Sequence, residues 1–162
     1  MGDLAERLDG IQVRVSAPGA DIEAELRGRS ELRLTFGESV YEFSDERALE
    51  RTLASLARLL YTGWARQYQE AIAETNLTSG PRDQHDLNYQ EEVREIEASG
   101  ESGDGRVALS TVGMGDFAAQ IKRGTVRELE EDEFAAQVGE AATLLLGSYQ
   151  AQVNELKLRY YG

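Results

Sequence analysis

No cysteine occurs among the 162 residues, so the chain has no disulfide, no thiolate nucleophile and no cysteine-based metal site. Histidine occurs once, as His85, in a polar stretch beside Asp83 and Asp86. An Asp-x-His-Asp run in a polar linker seldom fixes a coordination geometry, so neither a metal nor another cofactor is expected. No apolar run approaches the roughly 18–20 residues that span a membrane, and the first residues show no basic region followed by a hydrophobic one. The expectation is a soluble cytoplasmic protein without membrane contact. Positive charge is scarce as well: 17 Lys and Arg stand against 30 Asp and Glu, a formal net charge of −13. A bulk polyanion is repelled by nucleic acid and by anionic lipid, so contact with either needs a local cationic patch.

What the chain does contain is a repeat. Shifted by about 85 residues, its halves superimpose without a gap. Ile11 falls on Ile96, Ile22 on Val107, Gly28 on Gly113 and Phe36 on Ile121. Leu49 then meets Phe134, Leu53 meets Val138, Leu60 meets Leu145, Trp64 meets Tyr149 and Gln67 meets Gln152. Identities are few, but hydrophobic character recurs where a core would use it.

Each half reads as strands followed by one long helix. Ile11, Val13 and Val15 alternate with polar residues, as do Ile22, Ala24 and Leu26, and then Leu32, Leu34 and Phe36. Period two gives each strand one buried and one wet face. Residues 40–43 are expected to continue the third strand past a bulge or to pair as a short fourth one. Ser44 is the expected N-cap of a helix whose apolar stripe runs through Leu49, Leu53, Leu56, Leu60, Trp64, Tyr68 and Ile72. In the second half Ile96 lies on a first strand, residues 99–105 make the turn, Val107 and Leu109 lie on a second strand, and Phe117, Ala119 and Ile121 mark a third. An acidic run, 128–133, then leads into a helix striped by Phe134, Val138, Ala141, Leu145, Tyr149, Val153 and Leu156. The fold class is α+β. Two tandem β-β-β-α repeats, each an antiparallel sheet plus one long helix, cover each other as an intrachain pseudo-dimer. The boundaries fall at 1–76 and 91–162, joined by a polar linker over 77–90 that contains Gly80-Pro81 and leads into a short helix from Asp83.

The stretch Ile96-Glu97-Ala98-Ser99-Gly100-Glu101-Ser102-Gly103-Asp104-Gly105-Arg106-Val107 resembles the opening hairpin of the YbaB/EbfC proteins. Members carry a GESG-x-G-x-V-like turn into a second strand, then a third strand, an acidic patch and a long C-terminal helix. The resemblance covers about residues 86 to 158. The first half resembles a more diverged copy, with Ser16-Ala17-Pro18-Gly19-Ala20-Asp21 in place of the glycine-rich turn. Family members begin with a long helix, whereas residues 3–9 and 83–92 offer short ones. They also pair as homodimers of single copies. The resemblance implies a nucleoid-associated, DNA-binding role. The family is also similar in fold to secretion-associated proteins of actinobacterial type VII (ESX) systems, and 15 Arg against two Lys suits a GC-rich genome.

Phosphate contacts need clustered cations. Arg27, Arg29 and Arg33 occupy odd positions opposite the even-numbered leucines and should project from the wet face of the first sheet. Lys122, Arg123 and Arg127 cluster on or after the last strand. Ordinary solvated arginines paired with Glu23, Glu25 and Glu31 are the competing reading of the first group. Trp64, Tyr68 and Tyr149, with Tyr160 and Tyr161 at the end, are the candidates for a protein-interaction surface, against a role in the helix interface. Gly113-Met114-Gly115 is a turn rather than a phosphate loop, because no lysine or helix start follows it. Catalysis has no residues to carry it, so an enzyme is not expected. Two classes of function remain: a YbaB/EbfC-like DNA-binding protein, and a protein-interaction or chaperone-like component associated with type VII secretion. In either case further homodimerisation is open.

Overall fold

The computed structural model describes residue 6 and residues 9–28, 30–74 and 83–162. Strands β1 (Gln12–Ser16), β2 (Ile22–Arg27) and β3 (Glu31–Phe36) form an antiparallel sheet in that order. Helix α1 (Glu46–Glu74) follows. Helix α2 (Gln84–Arg94) then leads into β4 (Glu97–Glu101), β5 (Val107–Val112) and β6 (Asp116–Ile121), a second antiparallel sheet in sequential order. A single turn, α3 (Thr125–Glu128), precedes the long helix α4 (Glu131–Tyr161).

The elements of the second half begin 85 residues after their counterparts: 12 and 97, 22 and 107, 31 and 116, 46 and 131. Register follows the same offset. Gln12 opposes Arg27 as Glu97 opposes Val112, and Ile22 opposes Phe36 as Val107 opposes Ile121. Gly28 and Gly113 both take left-handed φ, +61° and +60°, which a glycine adopts without strain. Their amides donate to the carbonyls of Ile11 and Ile96, each at 2.8 Å. Gln67 Nε2 donates to Gln12 O and Gln152 Nε2 to Glu97 O, both at 2.8 Å.

Period-two patterning supplies each sheet with one apolar face, and three strands cannot bury such a face unaided. The helices complete the core by reaching across. Helix α1 packs on β1 and β2 of its own sheet and on β6 of the other, while α4 packs on β4, β5 and β3. The main core is accordingly mixed: Ile22, Phe36, Leu49 and Leu56 from the first half join Val107, Ile121, Phe134 and Val138 from the second. Phe134 is fully buried, with its ring 5.3 Å from Tyr41 and 6.1 Å from Phe36. A smaller cluster holds Ala98, Met114 and Leu145, flanked by Tyr61, Phe117 and Tyr149.

Close approach of helix to sheet uses a glycine in each half, on opposite partners. A Cβ at Gly63 of α1 would overlap Val13 of β1, and a Cβ at Gly100 of β4 would overlap the Ala141 carbonyl and Leu145 amide of α4.

Three local expectations change. Residues 41–43 form turns and not a strand. Tyr41 instead points into the core, and its hydroxyl donates to the Leu129 carbonyl of the other half at 3.0 Å. Ser44 is not the N-cap, because its Oγ donates to Val40 O at 2.7 Å. The cap is Asp45, whose Oδ1 accepts the Ala48 amide at 2.7 Å. Residues 99–101, expected within a turn, belong to β4, whereas the short helix expected from Asp83 forms, with Asp83 Oδ1 accepting from Asp86 N at 2.9 Å. Residues 75–82, with Gly80-Pro81, lie outside the described residues.

Because Phe134 joins the two halves at a site without free space, Phe134→Ala should destabilise the whole chain by about 3–5 kcal/mol in urea unfolding. A single cooperative transition should persist. Loss of under about 1 kcal/mol would contradict a shared core.

Candidate functional site

Arg27 and Arg33 project from the outer face of the first sheet, but each has a carboxylate. Glu25, half-buried on β2, accepts from Arg14 Nη2 at 2.8 Å and from Arg27 Nε. Those two hydrogen bonds, Arg14 first, hold its carboxyl down to about 2. Arg33 Nη2 lies 3.5 Å from Glu31. Such exposed pairs add little stability, yet they leave the face neutralised. Arg29 lies outside the described residues.

Lys122, Arg123 and Arg127 come together at the far end of the second sheet. The first two occupy the turn after β6 and the third lies in α3. All three are exposed, and among the described residues none forms a salt bridge. Helix α1 reaches this corner from the first half. Glu50 Oε2 accepts the Ile121 amide at 2.8 Å and Glu46 Oε2 the Val126 amide at 3.1 Å. An open cleft of about 700 Å³ lies between α1 and β6, with Arg47, Arg51 and Arg123 on its walls beside Asp45, Glu46 and Glu50. Guanidinium groups carry paired donors that match phosphate or carboxylate oxygens. Arg47 and Arg51 were not among the sequence candidates. Their sequence signal is their position off the apolar stripe of α1, which marks them as solvent-facing but not as neighbours of Arg123. That neighbourhood depends on α1 crossing to the other sheet.

The Gly100–Val107 hairpin is held by its own side chains. Ser102 Oγ donates to Asp104 Oδ1 at 2.8 Å and accepts the Val107 amide at 3.1 Å. Arg106 bridges Asp104 at 3.4 Å and Glu128. Glu140 of α4 accepts the Gly103 amide. These contacts are structural, and they tie the turn to α4.

The aromatic candidates separate into two groups. Trp64 stacks between Tyr61 and Tyr68, at 6.4 and 5.2 Å, and its Nε1 donates to Gly28 O at 3.2 Å. Tyr149 is half-buried and hydrogen-bonds the Tyr61 hydroxyl, so it links α4 to α1. The second group closes the end of α4 onto α2. His85 Nε2 lies 2.7 Å from Tyr160 O, Tyr161 OH donates to Asp86, and Tyr160 hydrogen-bonds Glu92. Tyr89 meets both terminal rings, at 5.7 and 5.3 Å. His85 is exposed, and its ring belongs to this aromatic clasp. Among the described residues no group of three or more His, Cys, Asp or Glu could hold a metal ion, and no helix is long and apolar enough to cross a membrane.

No protein-family model, curated protein or solved structure matches the chain.

Burial pushes the phenols of Tyr41 and Tyr149 up to about 12, and a hydrogen bond to the Asp86 carboxylate does the same for Tyr161. A phenol whose ionisation is raised by folding stabilises the native state fully below pH 10. That contribution is lost as pH climbs from 10 to about 12, because the unfolded chain releases its proton first. Absorbance-monitored alkaline titration should therefore show a late tyrosine phase that disappears in urea. Asp86→Asn should return Tyr161 toward 10 while Tyr149 still titrates near 12. An unchanged profile in that variant would contradict the Tyr161–Asp86 contact.

Proposed function

We propose that the chain is a non-enzymatic binding protein of YbaB/EbfC type, a tandem repeat folded as a single-chain pseudo-dimer, that engages DNA through its backbone phosphates. The observation that carries this reading is the exchange of helices at a constant 85-residue offset, with α1 on β6 and α4 on β3. In a homodimer of single copies each protomer would lend its helix to the partner's last strand. Here both loans occur within one polypeptide.

Among the six candidate cations, pairing separates two groups. Arg27 and Arg33 are neutralised on the first sheet, whereas Lys122, Arg123 and Arg127 carry no ion pair among the described residues. Contacts of this kind position a protein on DNA without reading bases. The proposed role is sequence-tolerant association with the nucleoid in the cytoplasm. With a net charge of −13, binding depends on local contacts against a repulsive background and should be steeply salt-dependent.

Fluorescence anisotropy with a labelled duplex should give micromolar binding whose log affinity falls with log salt at a slope of about −3, as roughly three phosphate contacts require. Failure to bind at micromolar protein, or affinity indifferent to salt, would overturn the reading.

A protein-interaction role linked to type VII secretion is the second reading. Its supporting observation is the end of α4, where Leu158 is 70% exposed and Tyr161 56% exposed. DNA contact should survive removal of Tyr160 and Tyr161, whereas an interaction through this end should not.

A further inference from the structure

We infer that the cleft between α1 and β6 is a one-sided phosphoryl-binding site, in which Arg47, Arg51 and Arg123 line the walls and Lys122 and Arg127 flank them along the chain. The inference rests on the DNA-binding reading for its ligand source but not for its location. All five side chains are exposed, and none forms a salt bridge among the described residues. On the walls of the cleft three guanidiniums, Arg47, Arg51 and Arg123, stand among three carboxylates.

Three carboxylates share the cleft, and each is engaged with backbone. Asp45 accepts the Ala48 amide, Glu46 the Val126 amide and Glu50 the Ile121 amide. The last two bonds hold α1 against α3 and the end of β6, the first caps α1, and each occupies one carboxylate oxygen. The guanidiniums of Arg47, Arg51 and Arg123 keep their donors for a ligand. The first turn of the 29-residue α1 borders the same space, so the positive end of its dipole lies at the cleft.

The counterpart corner, where α4 meets β3, makes the site one-sided. At the 85-residue offset, Asp132 replaces Arg47, Ala136 replaces Arg51 and Gly37 replaces Lys122. Glu38 stands for Arg123 and Glu42 for Arg127. Five cations become three anions and two neutral residues. A homodimer of identical copies must present two equal anion sites, whereas this chain presents one site and one anion-repelling counterpart.

The ligand chemistry is a phosphoryl oxyanion, available from a nucleic-acid backbone or from a free phosphate. Two probes distinguish the sources: inorganic pyrophosphate followed by amide NMR, and labelled duplex DNA followed by anisotropy. Millimolar pyrophosphate should shift the amides of Arg47, Arg51 and Arg123 in the full chain, with no comparable shift at Glu38 or Asp132. The shifts should vanish in Arg47→Glu/Arg123→Glu. That variant should lose at least about tenfold in duplex affinity and reduce the salt slope by about two. Arg27→Glu/Arg33→Glu, on the neutralised sheet face, should stay within about twofold. An unchanged thermal transition confirms that each variant is folded. Absence of pyrophosphate shifts at the cleft overturns the site, whatever DNA does. Cleft shifts without duplex binding support the site and assign it to a free phosphate, and they overturn the DNA-binding reading. Duplex binding that the cleft variant leaves unaltered sustains the DNA-binding reading and removes the cleft from it.

Discussion

Everything in this chain depends on the insufficiency of a three-stranded sheet. Each sheet has one apolar face, and one helix laid along its own strands leaves the edge strand open. The structure closes that gap by sending α1 across β6 and α4 across β3. The halves thereby acquire a joint core, centred on Phe134, Tyr41 and Phe36, which neither possesses alone. The buried faces of the helices, the inward turn of Tyr41 and the position of the cationic corner all follow from the exchange.

Much of the architecture was legible in the amino-acid order because two simple periods dominate it. Alternation located five of the six strands, β4 being foreshadowed only by Ile96 at its edge, and three-four spacing located both long helices. The apolar stripes ran through Leu49 to Leu60 and Phe134 to Leu145, which are buried. The 85-residue offset between halves was visible as an ungapped match of hydrophobic positions, and it recurs in the strand registers. What escaped was decided by contacts distant in sequence. Residues 40–43 look strand-like because Val40, Tyr41 and Phe43 are apolar or aromatic, yet Tyr41 serves the other half and the backbone turns to deliver it. Ser44 and Asp45 are both competent caps, and only the helix's actual start selects between them.

The candidate site was less readable for the same reason. Periodicity placed Arg27 and Arg33 on a wet face but did not determine how Glu25 and Glu31 would engage them. Lys122, Arg123 and Arg127 were recognisable as a local cluster because they are near in sequence. Arg47 and Arg51 lie some seventy residues earlier and join them only through the crossing of α1. The terminal tyrosines gave no local clue to their partners. Their rings settle on His85 and Tyr89, which precede the second sheet by a few residues and follow α4 in space.

The two glycines that permit close packing bear on whether the halves could exchange parts. In the first half the small residue sits on the helix, Gly63 against Val13, and in the second on the strand, Gly100 against the backbone of α4. Position for position, Ser148 replaces Gly63, Ala98 replaces Val13, and Val15 corresponds to Gly100. Bump and hollow have therefore changed sides between the halves. A chimaera that joins the first strand set to the second helix would meet a steric collision, and the reverse graft would leave a void. Each helix is therefore fitted to its own strands, and neither half can lend the other a helix without recutting the surface that receives it.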